Sequence, residues 1–515
     1  MKTTPKGRKI IIFLIVVCFI FTGLISKRIF FRVDLTKGQR FSVSQSSIDA
    51  MNELESSLRI TYYVSSELKK LYPQVRDISD FLRAYASEND FISVEVIDPV
   101  KDNLVQSLTS LGILGRQIQS TNGNKTEYLT VYSAILMEYL DKTLLIPFIL
   151  STEKLEYELT SRVLLCTQEK KRPVMVMVGN NFSLEKDYSY VLPWLESAGF
   201  FPMEITSNDF VHLEKQLKFD SNIAIPLVVL GSCNLSEEEV VAIKYFAESG
   251  GNVILFTSSS EVDIYGSWDV KPIQKDFFFP VLNDWGIYLS DGLLCDISCF
   301  RINLYSDEEN PLYESMNYPF WISILPQYTS ENAITTKIQG MNSFWANSLE
   351  FQGDSIEPLF FTSPAAWQIL PDYNHSQVFV TNPFLTAQTA KEAGKSTLQA
   401  PLAAIKKLKN DGGQIIVVSD QYFLSTMMLD YTGASSNLDF LVNSLLSLSK
   451  ENALLNIKNK SSYSTTLYKA DEQILSTSKN FVLFFTCILM PLLPVFVVLI
   501  FVVIKKIKFY IKDKK

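Results

Sequence analysis

The sequence predicts a membrane-anchored α/β protein, with two external α/β domains and one transmembrane helix at each end. Two observations lead to this fold class. An uncharged hydrophobic segment lies near each terminus, at residues 10–26 and 481–504. Between them, apolar runs typical of buried strands alternate with stretches of helical periodicity, which is the pattern of α/β folds.

Both hydrophobic segments have the length of a membrane span, because a bilayer core needs about 20 apolar residues in a helix. Basic residues favour the cytoplasmic side, and they cluster in the tails 1–9 and 505–515. We therefore expect both tails in the cytoplasm and residues 27–480 outside it, at the inner membrane of the cell. The alternative for the first segment is a cleaved signal peptide. Its apolar run is too long for one and no small-residue cleavage site follows, so an uncleaved anchor is favoured.

Composition excludes several functional classes. The net charge of −8 and the pI near 5.2 argue against nucleic acid, which selects basic surfaces. Of the six cysteines, the closest pair is Cys295 and Cys299, and no second pair completes a zinc signature. The only two histidines are His212 and His375, which limits His-ligated metals and His-based catalysis. We therefore predict no catalytic residues, no cofactor and no metal.

The N-terminal domain is predicted over residues 27–167. Its centre is a strand–helix–strand unit, which implies a parallel α/β layer. The expected elements are a helix capped by Ser46-Ser47, a strand at 59–64, a helix at 75–86, a strand at 91–97, strands at 128–139 and 143–148, and a helix at 152–165 that opens with Thr152.

A charged segment ending at Pro173 separates this domain from a second one, residues 173–450. Its clearest signal is a capping box of Ser236 and Glu239, followed by a helix that stops at Gly250-Gly251. The expected strands are 173–178, 225–230, 252–256, 377–381 and 414–419, with a helix and strand within 277–289 and a helix from Ser436. Residues 303–373 are expected to be irregular, and residues 451–480 to be a polar stalk.

Three small polar segments follow predicted strands, where open α/β sheets bind ligands. They are Gly179-Asn180-Asn181, Gly231-Ser232-Cys233 and Thr257-Ser258-Ser259. Such residues suit an external sensor of an anion, a peptide or a glycan, and they are also the common residues of turns. The turn interpretation is favoured.

Two other motifs suggest chemistry. Cys233 at a strand end could be a nucleophile only with His212 or His375 as its base, so a structural cysteine is favoured over a hydrolase. Gly394-Lys395-Ser396 lacks the glycine that a phosphate-binding loop has five positions earlier, where this chain has Thr389.

The order of several short motifs resembles the GldG-like auxiliary components of ABC-type transport systems, a family first associated with gliding motility. The matching segments are the N-terminal anchor, residues 34–36, 41–44, 94–99, 155–160, 236–256, 414–420 and 437–446, and the terminal anchor with its basic tail. The resemblance implies a second domain similar to class I glutamine amidotransferases, with a flavodoxin-like sheet but without their catalytic residues. It also implies a separate permease and ATPase as partners.

The sequence thus favours a non-enzymatic, membrane-anchored auxiliary subunit of an ABC-type transport system. The alternatives are an external ligand-sensing module, or a membrane-bound hydrolase that depends on Cys233.

Overall fold

A four-stranded and a seven-stranded β-sheet, each packed against helices, organise the chain. The computed structural model describes residues 42–122, 125–167, 172–206, 225–232, 235–266, 268–273, 276–305, 313–353, 355–374, 378–381, 398–410, 412–449 and 452–461. They all belong to the first of two compact units, Met1–Tyr463, and the second unit, Ser464–Lys515, lies outside the described residues.

The helices are α1 (Gln45–Met51), α2 (Ser66–Leu71), α3 (Val75–Ala86), α4 (Val105–Ser110), α5 (Leu155–Thr167), α6 (Leu184–Asp187), α7 (Val191–Ser197), α8 (Glu237–Glu248), α9 (Phe278–Asp284), α10 (Thr426–Thr432), α11 (Ser436–Leu448) and α12 (Asn452–Ser461). The strands are β1 (Leu58–Val64), β2 (Ile92–Ile97), β3 (Arg116–Asn122), β4 (Lys125–Val131), β5 (Ser133–Tyr139), β6 (Lys142–Ile146), β7 (Arg172–Val178), β8 (Phe200–Glu204), β9 (Leu227–Leu230), β10 (Val253–Phe256), β11 (Ser260–Val262), β12 (Val270–Pro272), β13 (Ile287–Cys295), β14 (Cys299–Tyr305), β15 (Tyr313–Ile324), β16 (Met341–Phe344), β17 (Asn347–Phe351), β18 (Ile356–Phe361), β19 (Trp367–Ile369), β20 (Pro401–Lys407) and β21 (Gln414–Val418).

The N-terminal sheet has the strand order β2-β1-β5-β6. β1 and β2 are parallel and α2 and α3 lie between them in the chain, which confirms the predicted strand–helix–strand unit. α3 has the predicted bounds because its apolar residues recur at helical spacing. The side chains that it buries are Val75, Ile78, Phe81, Leu82 and Tyr85.

The start of this domain differs from the prediction because α1 makes hydrogen bonds to a residue far away in the sequence. Ser44, not Ser46 or Ser47, caps α1, since its Oγ accepts the backbone N–H of Ser47. The Ser47 hydroxyl is buried and donates to the Glu156 carboxylate at 2.9 Å, and the Ser44 N–H donates to the same oxygen at 2.6 Å. Glu156 in α5 therefore binds the start of α1, and α5 itself begins at Leu155 rather than Thr152.

The seven-stranded sheet has the order β18-β20-β21-β10-β9-β7-β8. Its five parallel strands, numbered along the chain, lie in the order 2-1-3-4-5 that flavodoxin-like sheets have. β20 and β18 extend the sheet beyond β21, each antiparallel to the strand before it. Alternate residues of the parallel strands enter two separate hydrophobic clusters, one on each face of the sheet. Burial on both faces explains the continuous apolar runs of the sequence.

The crossover from β9 through α8 to β10 is the best-predicted element of the second domain. Ser236 and Glu239 form both bonds of the capping box, and α8 ends before Gly250-Gly251. The glycine at the start of β21 has a packing reason. A Cβ on Gly413 would lie 1.8 Å from the carbonyl oxygen of Gly251, so only glycine lets these two segments approach.

The insertion between β10 and β21 is far more regular than predicted. The described part of residues 303–373, expected to be irregular, contains the end of β14 and all of β15 to β19. Aromatic packing stabilises it: the rings of Trp321 and Phe344 stack at 4.1 Å, and the Trp345 indole N–H donates to the Tyr318 hydroxyl. The strand expected at 377–381 is absent from its described part, 378–381, and β20 takes the place beside β21.

The first part of the predicted stalk is folded. Residues 452–461 form α12, which packs against α1, α5 and α11 and buries Leu454, Leu455 and Ile457. The remaining stalk residues, 462–480, lie outside the described residues. The predicted transmembrane segments 10–26 and 481–504 also lie outside them, and no helix within the described ranges is long and apolar enough to cross a bilayer.

The capping box predicts a stability effect. Ser236→Ala removes the acceptor of the Glu239 N–H at the start of α8 and should lower the free energy of unfolding by about 1 kcal/mol. Denaturant unfolding followed by tryptophan fluorescence measures this change. Ser110→Ala is the control, because the Ser110 hydroxyl is exposed and bonds only within the end of α4. An equal loss in both variants would contradict the role of the cap.

Candidate functional site

The carboxyl ends of the parallel strands form the edge at which open α/β sheets bind ligands. Successive strands are added on one side of β7 (β8) and then on its other side (β9, β10, β21), so the switch point lies between the parallel strands β7 and β9, and Gly179-Asn180-Asn181 and Gly231-Ser232 adjoin it. Asn180 and Asn181 are exposed, whereas Gly231 and Ser232 are buried. The structure thus leaves one of these two strand ends open and closes the other.

Aromatic side chains cover the end of β9. Gly231 has φ +59°, and a Cβ there would lie 2.6 Å from the Phe182 ring and 2.9 Å from the Tyr188 hydroxyl. Only glycine fits this position. The Tyr188 hydroxyl in turn donates to the carbonyl of Gln421, at 2.8 Å.

The predicted nucleophile cannot be placed in this arrangement. Cys233 and its two candidate bases, His212 and His375, lie outside the described residues, as does Gly394-Lys395-Ser396. The hydrolase hypothesis therefore remains untested.

The third predicted segment, Thr257-Ser258-Ser259, is fully buried at the end of β10. Asn347, the first residue of β17, bonds to it: its Oδ1 accepts the Ser258 hydroxyl and the Ser259 N–H, both at 2.8 Å. Its Nδ2 donates to the Gly292 carbonyl at 3.0 Å. The insertion therefore fills this strand end with its own backbone and side chains.

Asp420 closes the end of β21 and was not among the predicted site residues. It is 1% exposed, and its Oδ2 accepts the Ser343 hydroxyl at 2.9 Å and the Phe344 N–H at 2.7 Å. Its Oδ1 accepts the Tyr422 N–H. Burial raises the pKa of Asp420 to about 7, although these hydrogen bonds oppose the rise. An acid directly after an apolar strand was the only sequence signal for this group.

An open cavity of about 410 Å³ lies beside the exposed end of β7. Asn181, Tyr422 and the β11–β12 hairpin line it, and four carboxylates (Asp187, Glu261, Asp263 and Asp269) face one lysine, Lys271. Two of these carboxylates already accept hydrogen bonds from neighbouring side chains. The Asn181 amide donates to Glu261 at 3.2 Å, and the Tyr265 hydroxyl donates to Asp187.

The described cysteines and acids form neither a metal-binding cluster nor an activated thiol. Within the described ranges, no group of three or more His, Cys, Asp or Glu side chains could hold a metal ion. Cys295 is buried, Cys299 is partly buried, and both are free thiols. Burial raises the pKa of both thiols, which disfavours the reactive thiolate.

These features define a mixed α/β protein whose largest sheet is flavodoxin-like and closed by its own insertion along much of its carboxyl edge. Residues 171–444, more than half of the chain, match the ABC transport auxiliary family, described as an ABC-type uncharacterized transport system. The chain belongs to this family. Residues 37–138 match a second model, a domain of unknown function (DUF7088).

Other similarities are more distant. An uncharacterized protein of Borreliella burgdorferi is 22% identical over 448 residues, which cover 84% of each chain. Among solved structures, the mmIFT52 N-terminal domain has a TM-score of 0.33 at 13% identity and covers 54% of this chain and 97% of that one. A ThuA-like protein of Bacteroides uniformis has a TM-score of 0.28 at 12% identity, over 54% and 91%. TM-scores this low do not indicate a shared function.

The buried carboxyl of Asp420 predicts a pH dependence. Its pKa is about 7 in the folded protein against an ordinary value of 3.8. Between these values the folded chain holds a proton that the unfolded chain releases, so stability falls as pH rises, by up to about 1.4 kcal/mol per pH unit. In denaturant unfolding across this pH window, the free energy of unfolding should fall less steeply with rising pH in Asp420→Ala than in the wild type.

Asp80→Ala is the control for this experiment, because Asp80 is an exposed carboxylate on α3. This variant should keep the wild-type slope. Parallel slopes for wild type and Asp420→Ala would show that Asp420 does not take up a proton on folding.

Proposed function

We propose that this chain is a non-enzymatic, membrane-anchored auxiliary subunit of an ABC-type transport system, and that it contributes its α/β body to a complex with a permease and an ATPase. The observation that carries the proposal is the closure of the sheet's carboxyl edge. Asn347 and Asp420 bond the ends of β10 and β21 to the insertion, where a doubly wound enzyme would keep its substrate. Membership of the ABC transport auxiliary family supports the same role.

Within this family, we assign the chain to the GldG-like, gliding-motility-associated components. The support is the order of the short motifs along the chain, several of which fall on elements of the fold: residues 236–256 contain α8 and β10, and residues 437–446 lie in α11. A sheet whose carboxyl edge is closed at β9, β10 and β21 agrees with a relative of the amidotransferases that lacks their chemistry.

We also propose that residues 10–26 and 481–504 span the inner membrane and that the body between them is extracytoplasmic. The support is the uncharged character of both segments and the basic tails beyond them. A large external body held at both ends would be suited to contact a permease from outside.

The two alternative functions have weaker support. A sensor site at the three strand ends would need them to be accessible, and the ends of β9 and β10 are buried. A hydrolase dependent on Cys233 has no support from the described residues, because Cys233 and its two candidate bases, His212 and His375, all lie outside them.

The complex is tested by affinity purification. Tagged full-length chain, extracted from membranes of its own organism in mild detergent, should co-purify with a multi-span permease and an ATPase identified by mass spectrometry. An untagged strain controls for unspecific binding. Recovery of the chain alone, from an extract in which other membrane complexes stay intact, would count against the auxiliary-subunit role.

The topology is tested by single-cysteine labelling in a chain whose native cysteines have been replaced. Lys101, which is 67% exposed and follows β2, is a suitable site on the body. Lys101→Cys should react with an impermeant thiol reagent in intact cells whose outer barrier, if any, is permeabilised. Lys514→Cys, in the basic tail, should react only after lysis. The reverse pattern would place the body in the cytoplasm.

A further inference from the structure

A second cavity, of about 240 Å³, lies where the two halves of the described chain meet. Four segments line it: residues 153–154 before α5, residues 336–339 before β16, the start of α11, and α12. We refer to it as the junction cavity. It is separate from the strand ends, and no predicted site residue lines it.

Charged side chains surround the junction cavity, with an excess of cations. The Asp439 carboxylate lies between two ammonium groups, Lys458 Nζ at 2.9 Å and Lys154 Nζ at 3.4 Å. Burial alone would raise the pKa of Asp439, but the two lysines lower it. Lys337 is a third cation in the lining, against Glu153 as the second carboxylate.

The amino end of α11 adds a further positive contribution. α11 is 13 residues long, and its N-cap, Ser435, makes no side-chain capping bond. Ser435 and Ser436 both line the cavity. The first N–H groups of a helix have no partner within the helix, and the helix dipole favours an anion in front of them.

An independent observation points to a hydrogen-bond donor on a ligand in this cavity. Asn443 lies one turn after Asp439 on α11, lines the cavity and is 2% exposed. Its Nδ2 donates to the Ile334 carbonyl at 2.8 Å, which fixes the orientation of the amide. Its Oδ1 has no hydrogen-bond partner. A buried acceptor without a partner is costly, and a donor on a ligand in the cavity would satisfy it.

We propose that the junction cavity binds a small organic acid that carries a hydroxyl or amino group beside its carboxylate. The carboxylate meets the amino end of α11 and Lys154, and the hydroxyl or amino group donates to Asn443 Oδ1. The cavity volume of about 240 Å³ admits a small organic acid of this kind. The bound acid would contact the segment before α5, α11 and α12 together and so hold α12 on the body.

Binding is measured on the purified full-length chain in mild detergent, without any partner, so that its outcome is independent of the proposed complex. The probes are sodium glycolate, sodium lactate, glycine and alanine, with sodium acetate and sodium chloride at matched ionic strength. At least one hydroxy or amino acid should raise Tm saturably at millimolar concentration. Acetate, which has no donor for Asn443, should bind more weakly, and chloride should have no saturable effect.

Two matched variants locate the site. Lys154→Gln should weaken binding of the effective acid about tenfold or more, because a charge-assisted hydrogen bond is lost. Lys70→Gln is the control: this lysine is 71% exposed and paired with Glu67 in the first half of the chain. It should leave binding unchanged. The proposal is overturned if no probe acid shifts Tm saturably, if acetate binds as well as the acids, or if both variants bind like the wild type.

Discussion

The rest of the structure depends on the hydrogen bonds that connect the carboxyl ends of the parallel strands to the insertion. A buried backbone or hydroxyl group without a partner costs about 1–3 kcal/mol, and the insertion between β10 and β21 covers this edge with protein. Asn347 pairs two of these groups at the end of β10, because it accepts hydrogen bonds from Ser258 and Ser259 and donates a third to Gly292. The buried Thr257 hydroxyl at the same strand end has no partner among the described residues. At the end of β21, Asp420 accepts hydrogen bonds from Ser343 and Phe344. Each residue connects a parallel strand to an antiparallel one of the insertion.

This closure covers much of the edge at which sheets with this strand order usually bind their ligand. A 2-1-3-4-5 sheet leaves a crevice at its switch point, and here Phe182 and Tyr188 pack over Gly231 on one side of that crevice. What stays open is the acidic cavity beside β7, in which the Tyr265 hydroxyl already donates to Asp187. Among the described residues, this cavity is therefore the open part of the sheet's carboxyl edge.

The sequence predicted the elements whose partners are local. α3 follows from its apolar spacing, and the β9–α8–β10 crossover follows from a capping box and two buried strands. The strands of the insertion could not be predicted in this way. Polar residues such as Ser343 and Asn347 are buried in these strands, and their presence makes the sequence resemble that of a loop. Their burial is possible only because distant residues, Asp420 above all, accept or donate the hydrogen bonds. A single sequence does not display such pairings.

α12 illustrates the same limit and shows how the two halves of the described chain are joined. Its sequence reads as polar, yet Leu454, Leu455 and Ile457 are buried against α5 and α11. The Lys458 ammonium is held by Asp439 of α11, and it lies 5.7 Å from the ring centroid of Tyr157 in α5. Removing one partner of a buried pair costs about 3–5 kcal/mol, because the other charge is left without compensation. The ion pair and the buried apolar residues therefore both hold α12 on the body, and a ligand beside Lys154 and Asp439 would contact this ion pair directly.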